Sequence, residues 1–173
     1  MASNVNVSAR TPWNVLFLCT GNSARSIMGE ALLNHHGRGR FRAYSAGSQP
    51  VGRVNPLTLK VLGEAGLPVA GLRSKSWDEF SAAGAPAIDF VFTVCDNAAA
   101  ETCPIWPGSP VTAHWGIADP AAVEGDEAAR LAAFRRALHG LDRRVRLFLA
   151  LPAERLMGES LHAAVQRIGD PGE

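Results

Sequence analysis

Apolar residues along this chain gather in short, almost continuous runs, and segments with helical spacing separate these runs. The runs that predict strands are Asn14–Cys19, Phe41–Ser45, Asp89–Cys95 and the weaker Val111–Trp115. Strands that are apolar on both faces are typical of a parallel sheet covered by helices. The pattern therefore predicts an α/β fold, a four-stranded parallel sheet with helices on both faces.

The segments between the strands carry helix signals. Asn55 is a predicted N-cap, Pro56 follows at the first helical position, and Gly66 marks the end of that helix. The strongest helix covers about Asp126–Leu151, in which apolar residues recur in steps of three and four and so form one face that packs on a core. The other predicted helices are Ile27–His36, a short one near Ser76–Ala82 and another within residues 153–168.

The length of 173 residues suits one compact domain. We interpret residues 1–12 as a flexible N-terminal tail, 13–151 as the α/β domain that carries the chemistry, and 152–173 as a C-terminal extension. The N-terminus lacks the apolar stretch of a secretory signal, and no apolar run approaches the ~18 residues of a membrane span. We therefore expect a cytoplasmic protein that has no membrane partner.

The balance of charged residues bears on which ligands the protein can bind. Seventeen basic and sixteen acidic residues give a net charge of +1, which argues against a nucleic-acid binder. Five arginines in the last long helix alternate with apolar positions, and we interpret them as a solvated helix face rather than a phosphate-binding patch. These arginines are Arg135, Arg136, Arg143, Arg144 and Arg146.

Three cysteines are candidates for chemistry. Thiols stay reduced in the cytoplasm, so Cys19, Cys95 and Cys103 are more readily catalytic than structural. The short-spaced cysteine pairs of zinc sites are missing, and we predict no metal. Cys19 and Cys95 both fall at the carboxyl ends of predicted strands, the edge of a parallel sheet where functional crevices lie.

The stretch after the first strand has the features of an anion-binding loop. A loop that leads into a helix N-terminus presents unpaired backbone N–H groups to one point, and such a nest binds tetrahedral oxyanions. Gly21 is expected to allow a tight turn, Asn22 to accept left-handed backbone angles, and Arg25 to bind two anion oxygens. The residues expected to surround the anion are Thr20, Gly21, Asn22, Ser23, Ala24 and Ser26.

Cys19 would lie at the focus of this loop. We expect its pKa to fall well below ~8.5, with Ser26 donating a hydrogen bond to the sulfur. The alternative is a buried structural cysteine before an ordinary strand–helix turn.

Asp119, in "ADP", is a carboxylic acid that can protonate a leaving oxygen. On the residues alone, however, the favoured interpretation is an aspartate in a turn or at a helix N-cap.

The stretch "VLFLCTGNSARS" resembles the C-x5-R loop of the low-molecular-weight tyrosine phosphatase fold. Later motifs resemble the arsenate reductase branch of that fold, and the resemblance covers nearly all of Trp13–Leu151. They are "YSAG", "NPLTLKVLGEAGL", "SKSWDEF", "VCDNAAAETCPIWPG" and "HWGIADPA".

This resemblance implies reduction of arsenate to arsenite, as in arsenic resistance, with phosphate and sulfate as competing anions. It implies that Cys19 attacks arsenate, Arg25 binds the anion and Asp119 protonates the leaving oxygen. It also implies that Cys95 and Cys103 are relay thiols that form a redox-active disulfide. No bound cofactor is implied, only an external thiol reductant, either thioredoxin or glutathione with glutaredoxin.

Two departures from the wider family bear on function. Ala24 stands where many phosphatases have a second cysteine, and Ala121 and Ala122 follow Asp119-Pro120 where phosphotyrosine enzymes tend to have an aromatic residue. Ala24 makes a disulfide with Cys19 inside the loop impossible, and the two alanines after Asp119-Pro120 suit a small inorganic substrate. The alternative function is that of a phosphatase acting on phosphotyrosine or small aryl phosphates. A third possible function is anion binding without turnover, and the presence of Cys19, Arg25 and Asp119 together argues against it.

Some arsenate reductases bind potassium beside this loop. Asn22, Glu30 and Ser45 match positions of that site, whereas Lys75 stands in place of its remaining carboxylate. The hypothesis is that the Lys75 ammonium takes the place of the metal and pairs with Glu30.

Overall fold

The computed structural model of the chain describes residues 12–95, 110–152 and 160–169. Its four strands form one parallel sheet in the order β2-β1-β3-β4. The strands are β1 (Trp13–Cys19), β2 (Phe41–Gly47), β3 (Phe90–Thr93) and β4 (Val111–His114). The predicted parallel sheet of four strands is confirmed.

Helices follow the strands along the chain. They are α1 (Arg25–Gly37), α2 (Pro56–Glu64), α3 (Asp78–Ser81), a 3₁₀ helix (Pro120–Ala122), α4 (Glu127–Leu149) and α5 (Ser160–Gly169). The predicted cap of α2 is confirmed, because Asn55 Oδ1 accepts a hydrogen bond from Leu57 N at 2.9 Å. Asp126 caps α4 in the same way, through Ala129 N at 2.8 Å. Side-chain caps satisfy N–H groups that have no partner within the helix.

The two faces of the sheet are covered unequally in the described part of the chain. On one face, Val15 and Phe17 of β1 pack in the same cluster as residues of α1, α2 and α4. On the other face, Leu16 and Leu18 pack with Phe80 of the short helix α3. Alternate residues of β1 are thus buried on opposite faces, which explains why this strand is apolar throughout.

The strand order directs the carboxyl end of β1 toward a crevice. The chain passes from β1 to β2 on one side and later to β3 on the other, so β1 and β3 flank the point where the order reverses. In open α/β sheets, ligands bind at such a point. Cys19 is the last residue of β1, and its neighbour Leu18 pairs with Thr93, two residues before Cys95. The loop after β4 returns to this edge, where Ile117 N donates to Val94 O at 3.0 Å.

Element ends differ from the prediction where contacts between distant segments decide them. Strand β2 runs to Gly47 rather than Ser45, because Gly47 N donates to Lys75 O at 2.9 Å and Gly47 forms a parallel bridge with Ser76. Strand β3 ends at Thr93 rather than at Cys95. Helix α1 begins at Arg25 rather than Ile27, since Met28 N already bonds to Ala24 O at 2.9 Å.

Helix α5 lies within the segment predicted as a C-terminal extension, and it contacts β4. Val165 is fully buried, and its carbonyl accepts a hydrogen bond from Trp115 Nε1 at 2.9 Å. The predicted tail, up to residue 11, and residues 153–159 lie outside the described residues. Across the described ranges, no helix combines the length and the apolar character that crossing a membrane requires.

The interpretation of the five arginines of α4 as a solvated face is wrong for Arg144. Its guanidinium donates to Gly140 O and Gly116 O, both at 3.2 Å, and the side chain is half-buried. Gly116 belongs to the segment between β4 and Asp119. Arg144 therefore fastens that segment to α4, a role that periodicity alone does not distinguish from a solvated position.

Candidate active site

A small cleft opens at the carboxyl edge of β1. It has a volume of about 240 Å³. The loop from Cys19 to Arg25 lines it, together with Val51, Asp119 and Ala121. A wider cleft of about 380 Å³ lies between α1, α2 and α4, but no cysteine lines it. Of these two clefts in the described part of the chain, the smaller one combines a cysteine with a loop suited to anions.

The loop is held from outside through its carbonyl groups. Thr20 O accepts from Gln49 N at 3.0 Å, Gly21 O from Val51 N at 3.0 Å, and Ser23 O from Asn55 N at 2.9 Å. Thr58 Oγ1 adds a second bond to Ser23 O at 3.0 Å. The carbonyl groups of the loop thus accept hydrogen bonds from residues outside it. This arrangement is typical of a nest, in which the backbone N–H groups bind the anion.

The glycine that the loop requires is Gly47, not Gly21. The tight turn expected at Gly21 does not depend on a glycine: its φ is not in the left-handed region, and an added Cβ would make only an ordinary 3.5 Å contact with Val51. The left-handed residue is Asn22, with φ of 47°, as predicted. At Gly47, by contrast, a Cβ would overlap the carbonyl oxygen of Thr20.

Cys19 is almost fully buried at the base of the cleft. Its sulfur lies 2.9 Å from Ser26 Oγ and accepts from Asn22 N at 3.2 Å. Asn22 Nδ2 donates to Ser26 Oγ at 2.8 Å. Because Ser26 Oγ accepts that bond, its own hydrogen remains available for the sulfur.

The expected lowering of the Cys19 pKa is wrong. Burial is the largest influence and raises the pKa of the Cys19 thiol above its ordinary value. Hydrogen bonds from Ser26 and from the Asn22 amide lower the pKa in part, and the nearby Cys95 raises it further. The sequence indicated the hydrogen bonds but not the depth at which the sulfur is buried.

Arg25 and Asp119 face each other at the rim of the cleft. Arg25 Nη1 donates to Ile117 O at 2.8 Å, and Nη2 lies 3.7 Å from Asp119 Oδ2. The other oxygen, Asp119 Oδ1, accepts from Ala121 N at 3.0 Å and caps the 3₁₀ helix. The sequence left two interpretations of Asp119 open, a helix cap and an acid beside the anion loop. The structure shows both features in one side chain, since one carboxylate oxygen caps the 3₁₀ helix and the other lies near Arg25.

Cys95 lies beside the loop. It is buried and is not in a disulfide, and its sulfur is 3.8 Å from Thr20 Oγ1. Cys103 lies outside the described residues. Among the residues that the structure describes, no group of three or more His, Cys, Asp or Glu side chains is arranged to hold a metal ion.

Residues 14–164 match the family described as low molecular weight phosphotyrosine protein phosphatase. This chain belongs to that family.

Its relatives include arsenate reductases. One from Halalkalibacterium halodurans is 36% identical over 134 residues, which cover 78% of this chain and 93% of the relative. The crystal structure of an arsenate reductase from Archaeoglobus fulgidus is 30% identical, with a TM-score of 0.62, over 79% of this chain and 99% of that one. A low molecular weight protein tyrosine phosphatase from T. tengcongensis is 25% identical, with a TM-score of 0.56, over 75% and 92% of the two chains.

Within this family fold, the mouth of the cleft is lined by small side chains. Val51 is 62% exposed beside the loop, and Ala121 also lines the cleft, two residues after Asp119. No aromatic side chain is among the described residues that line the cleft. No motif in the sequence points to Val51, because its position beside the loop depends on the hydrogen bond from its N–H to Gly21 O.

A buried lysine, Lys75, contacts the loop and is not among the described residues that line the cleft. Lys75 Nζ is 3.6 Å from Glu30 Oε1, so the hypothesised pairing is present. Lys75 N also donates to Asn22 Oδ1 at 2.8 Å, a link that the sequence did not indicate. Burial lowers the pKa of Lys75 and raises the pKa of Glu30, and each charge opposes the shift of the other.

Proposed function

We propose that this chain is an arsenate reductase, which reduces arsenate to arsenite by means of a cysteine nucleophile and a thiol relay. The observation that carries the proposal is the placement of two thiols, neither in a disulfide, at one sheet edge, with Cys19 inside the small cleft and Cys95 next to its loop. A hydrolase of this fold needs only the first thiol. The 36% identity to a relative named arsenate reductase points the same way.

In the first step, the Cys19 sulfur attacks arsenic. A sulfur–arsenic bond forms as an arsenic–oxygen bond breaks, and Asp119 donates the proton with which the leaving oxygen departs as water. Arg25 binds two arsenate oxygens, and the backbone of Thr20–Ala24 binds others. Cys19 attacks as the thiolate, and an oxygen of the arsenate dianion bound beside it is a base that can accept the thiol proton.

In the second step, electrons reach arsenic from thiols. Cys95 attacks the Cys19 sulfur, the electron pair of the sulfur–arsenic bond passes to arsenic, and arsenite leaves as a Cys19–Cys95 disulfide forms. Cys103 then attacks Cys95, which releases Cys19 and leaves a Cys95–Cys103 disulfide. An external dithiol returns two electrons to that disulfide.

The partners follow from this chemistry. Thioredoxin or glutathione with glutaredoxin would serve as the reductant, and phosphate and sulfate would compete for the loop. Such a relay requires a reducing compartment, which supports a cytoplasmic location. We assign the chemistry to the α/β domain of residues 13–151.

A second candidate function is hydrolysis of phosphotyrosine or small aryl phosphates, because the matched family includes phosphatases. The test is to measure arsenate-dependent thiol oxidation and p-nitrophenyl phosphate hydrolysis on one preparation. The reductase predicts oxidation that both Cys19→Ser and Cys95→Ser abolish. Robust hydrolysis with no arsenate-dependent oxidation would instead identify a phosphatase.

A further inference from the structure

The Lys75 ammonium contacts oxygen atoms from three separate segments. Nζ donates to Arg73 O at 2.8 Å and to Ser45 Oγ at 3.3 Å, and it lies 3.6 Å from Glu30 Oε1. Ser45 Oγ in turn donates to Glu30 Oε1 at 3.0 Å. The side chains of Lys75 and Glu30 are only 7% and 11% exposed. Charges buried this deeply require a partner, so each depends on the other.

Potassium, which the family resemblance implies for some members, does not fit these residues. The ammonium already lies among the oxygens of Glu30, Ser45 and Arg73. Asn22 Oδ1, a further candidate ligand, already accepts from Lys75 N. A metal cation placed here would meet a positive charge at contact distance in a poorly solvated site.

Lys75 also connects this buried pair to the candidate nucleophile. Its backbone N–H orients the Asn22 amide, whose Nδ2 then donates to Ser26 Oγ. Ser26 Oγ lies 2.9 Å from Cys19 Sγ. On the other side, Lys75 O accepts from Gly47 N at 2.9 Å, at the end of β2. A shift of the backbone at residue 75 would therefore reach the groups that surround the sulfur.

We propose that Lys75 is a positioning residue whose ammonium acts as a covalently attached monovalent cation, tying α1, β2 and the segment of residues 73–75 together beside the anion loop. The loop consequently needs no free potassium. Lys75 acts on Cys19 through Asn22 and Ser26 and touches no reacting atom. A measurement of turnover depends on the proposed arsenate reduction, whereas a measurement of the reactivity of the Cys19 thiol does not.

The first test uses the unaltered chain. Arsenate-dependent turnover is measured in potassium chloride and in choline chloride at equal ionic strength, since choline is too large to enter a buried site. We expect rates within about twofold of each other. Stimulation by potassium of fivefold or more would overturn the proposal.

The second test removes the tethered cation. Lys75→Ala leaves a space beside the Glu30 carboxylate that potassium or ammonium ions can enter. The readout is Cys19 alkylation by iodoacetamide at neutral pH, in a background in which Cys95 and Cys103 are serine. We expect alkylation at least threefold slower than in the Lys75 parent in choline, because the bonds that lower the thiol pKa are displaced, and recovery in potassium or ammonium chloride.

Lys75→Met is the matched control, since its uncharged side chain fills the space and admits no ion. Its alkylation should be slow in every salt. Equal slowing of Lys75→Ala in all three salts would show a merely structural role and overturn the proposal.

A double variant covers the case in which Lys75→Ala does not fold. Glu30→Gln with Lys75→Met removes both buried charges and leaves none unpaired. It should fold and remain slow to alkylate in all salts; alkylation at the parent rate would overturn the proposal. If the alkylation pattern holds but no variant or parent reduces arsenate, the proposed function fails and the present inference stands.

Discussion

Arg25 Nη2 lies 3.7 Å from Asp119 Oδ2 across the mouth of the candidate active site, although 94 positions separate the two residues in the chain. The contact exists because Arg25 begins α1 directly after the anion loop and Ile117 O holds its guanidinium at 2.8 Å. The contact brings the proposed anion binder and the proposed acid close enough to act on the same bound oxyanion.

Asp119→Asn should slow the first chemical step by roughly 10²–10⁴, the scale expected for a positioned general acid. The amide oxygen can still accept from Ala121 N, so the cap and the fold should persist. Single-turnover formation of the arsenate-dependent disulfide measures the step, and protection from alkylation by phosphate measures anion binding, which should be largely retained. A rate within a few-fold of the parent would make Asp119 a turn residue only.

Arg25→Lys should weaken anion binding by roughly ten- to a hundredfold, because a point charge replaces a planar fork that forms two charge-assisted hydrogen bonds. The dissociation constant of phosphate, from its protection of Cys19 against iodoacetamide, provides the measurement. Lys60→Arg serves as the control, since Lys60 is half-exposed on α2 and pairs only loosely with Glu127 at 3.6 Å. Unchanged phosphate affinity in Arg25→Lys would argue against Arg25 as the anion binder.

The raised pKa of the buried Cys19 thiol predicts a loss of stability at alkaline pH. The folded chain holds the thiol proton more tightly than the unfolded chain does. This contribution is complete below the unfolded pKa, near ~8.5, and is lost as pH rises through the higher folded pKa. Tm measured from pH 7 to 10 should therefore fall more steeply for the parent than for Cys19→Ser. Parallel curves would mean that Cys19 does not titrate in this way.

Cys103→Ser should trap a Cys19–Cys95 disulfide after one turnover, which peptide mapping would detect. A disulfide requires Cα atoms about 4.4–6.8 Å apart, so Cys95 and Cys103 must come within that distance during the relay. If Cys103→Ser cycles at full rate with a protein or small-thiol reductant, an external thiol completes the reaction instead.

Gly47→Ala should destabilise the fold by about 1–3 kcal/mol or more and impair activity, because the new Cβ meets the backbone carbonyl of Thr20 in the anion loop. Gly63→Ala is the matched control: nothing lies within 4 Å of its Cβ position in α2, and alanine there should stabilise by up to ~1 kcal/mol. Urea denaturation measures both. A Gly47→Ala variant as stable as the parent would show that the loop can move away at little cost.

The local patterns of the sequence determined much of this protein. Continuous apolar runs predicted four buried strands, and Asn55-Pro56 predicted the start of α2, because burial on both faces and helix capping depend on residues close together in the chain. The loop between β1 and α1, with left-handed Asn22 and Cys19 at its base, could be read from a single stretch. The resemblance of that stretch, rather than its spacing alone, led to arsenate reduction.

Contacts between distant segments decided what the sequence could not. Cys19 is buried in a core cluster that residues from several elements form, and burial outweighs the local hydrogen bonds that lower its pKa. The need for Gly47 arises only where β2 passes the loop, and the link from Lys75 to Asn22 joins positions 53 residues apart. No spacing rule encodes such pairs, since each depends on how separate elements pack and on the space that packing leaves.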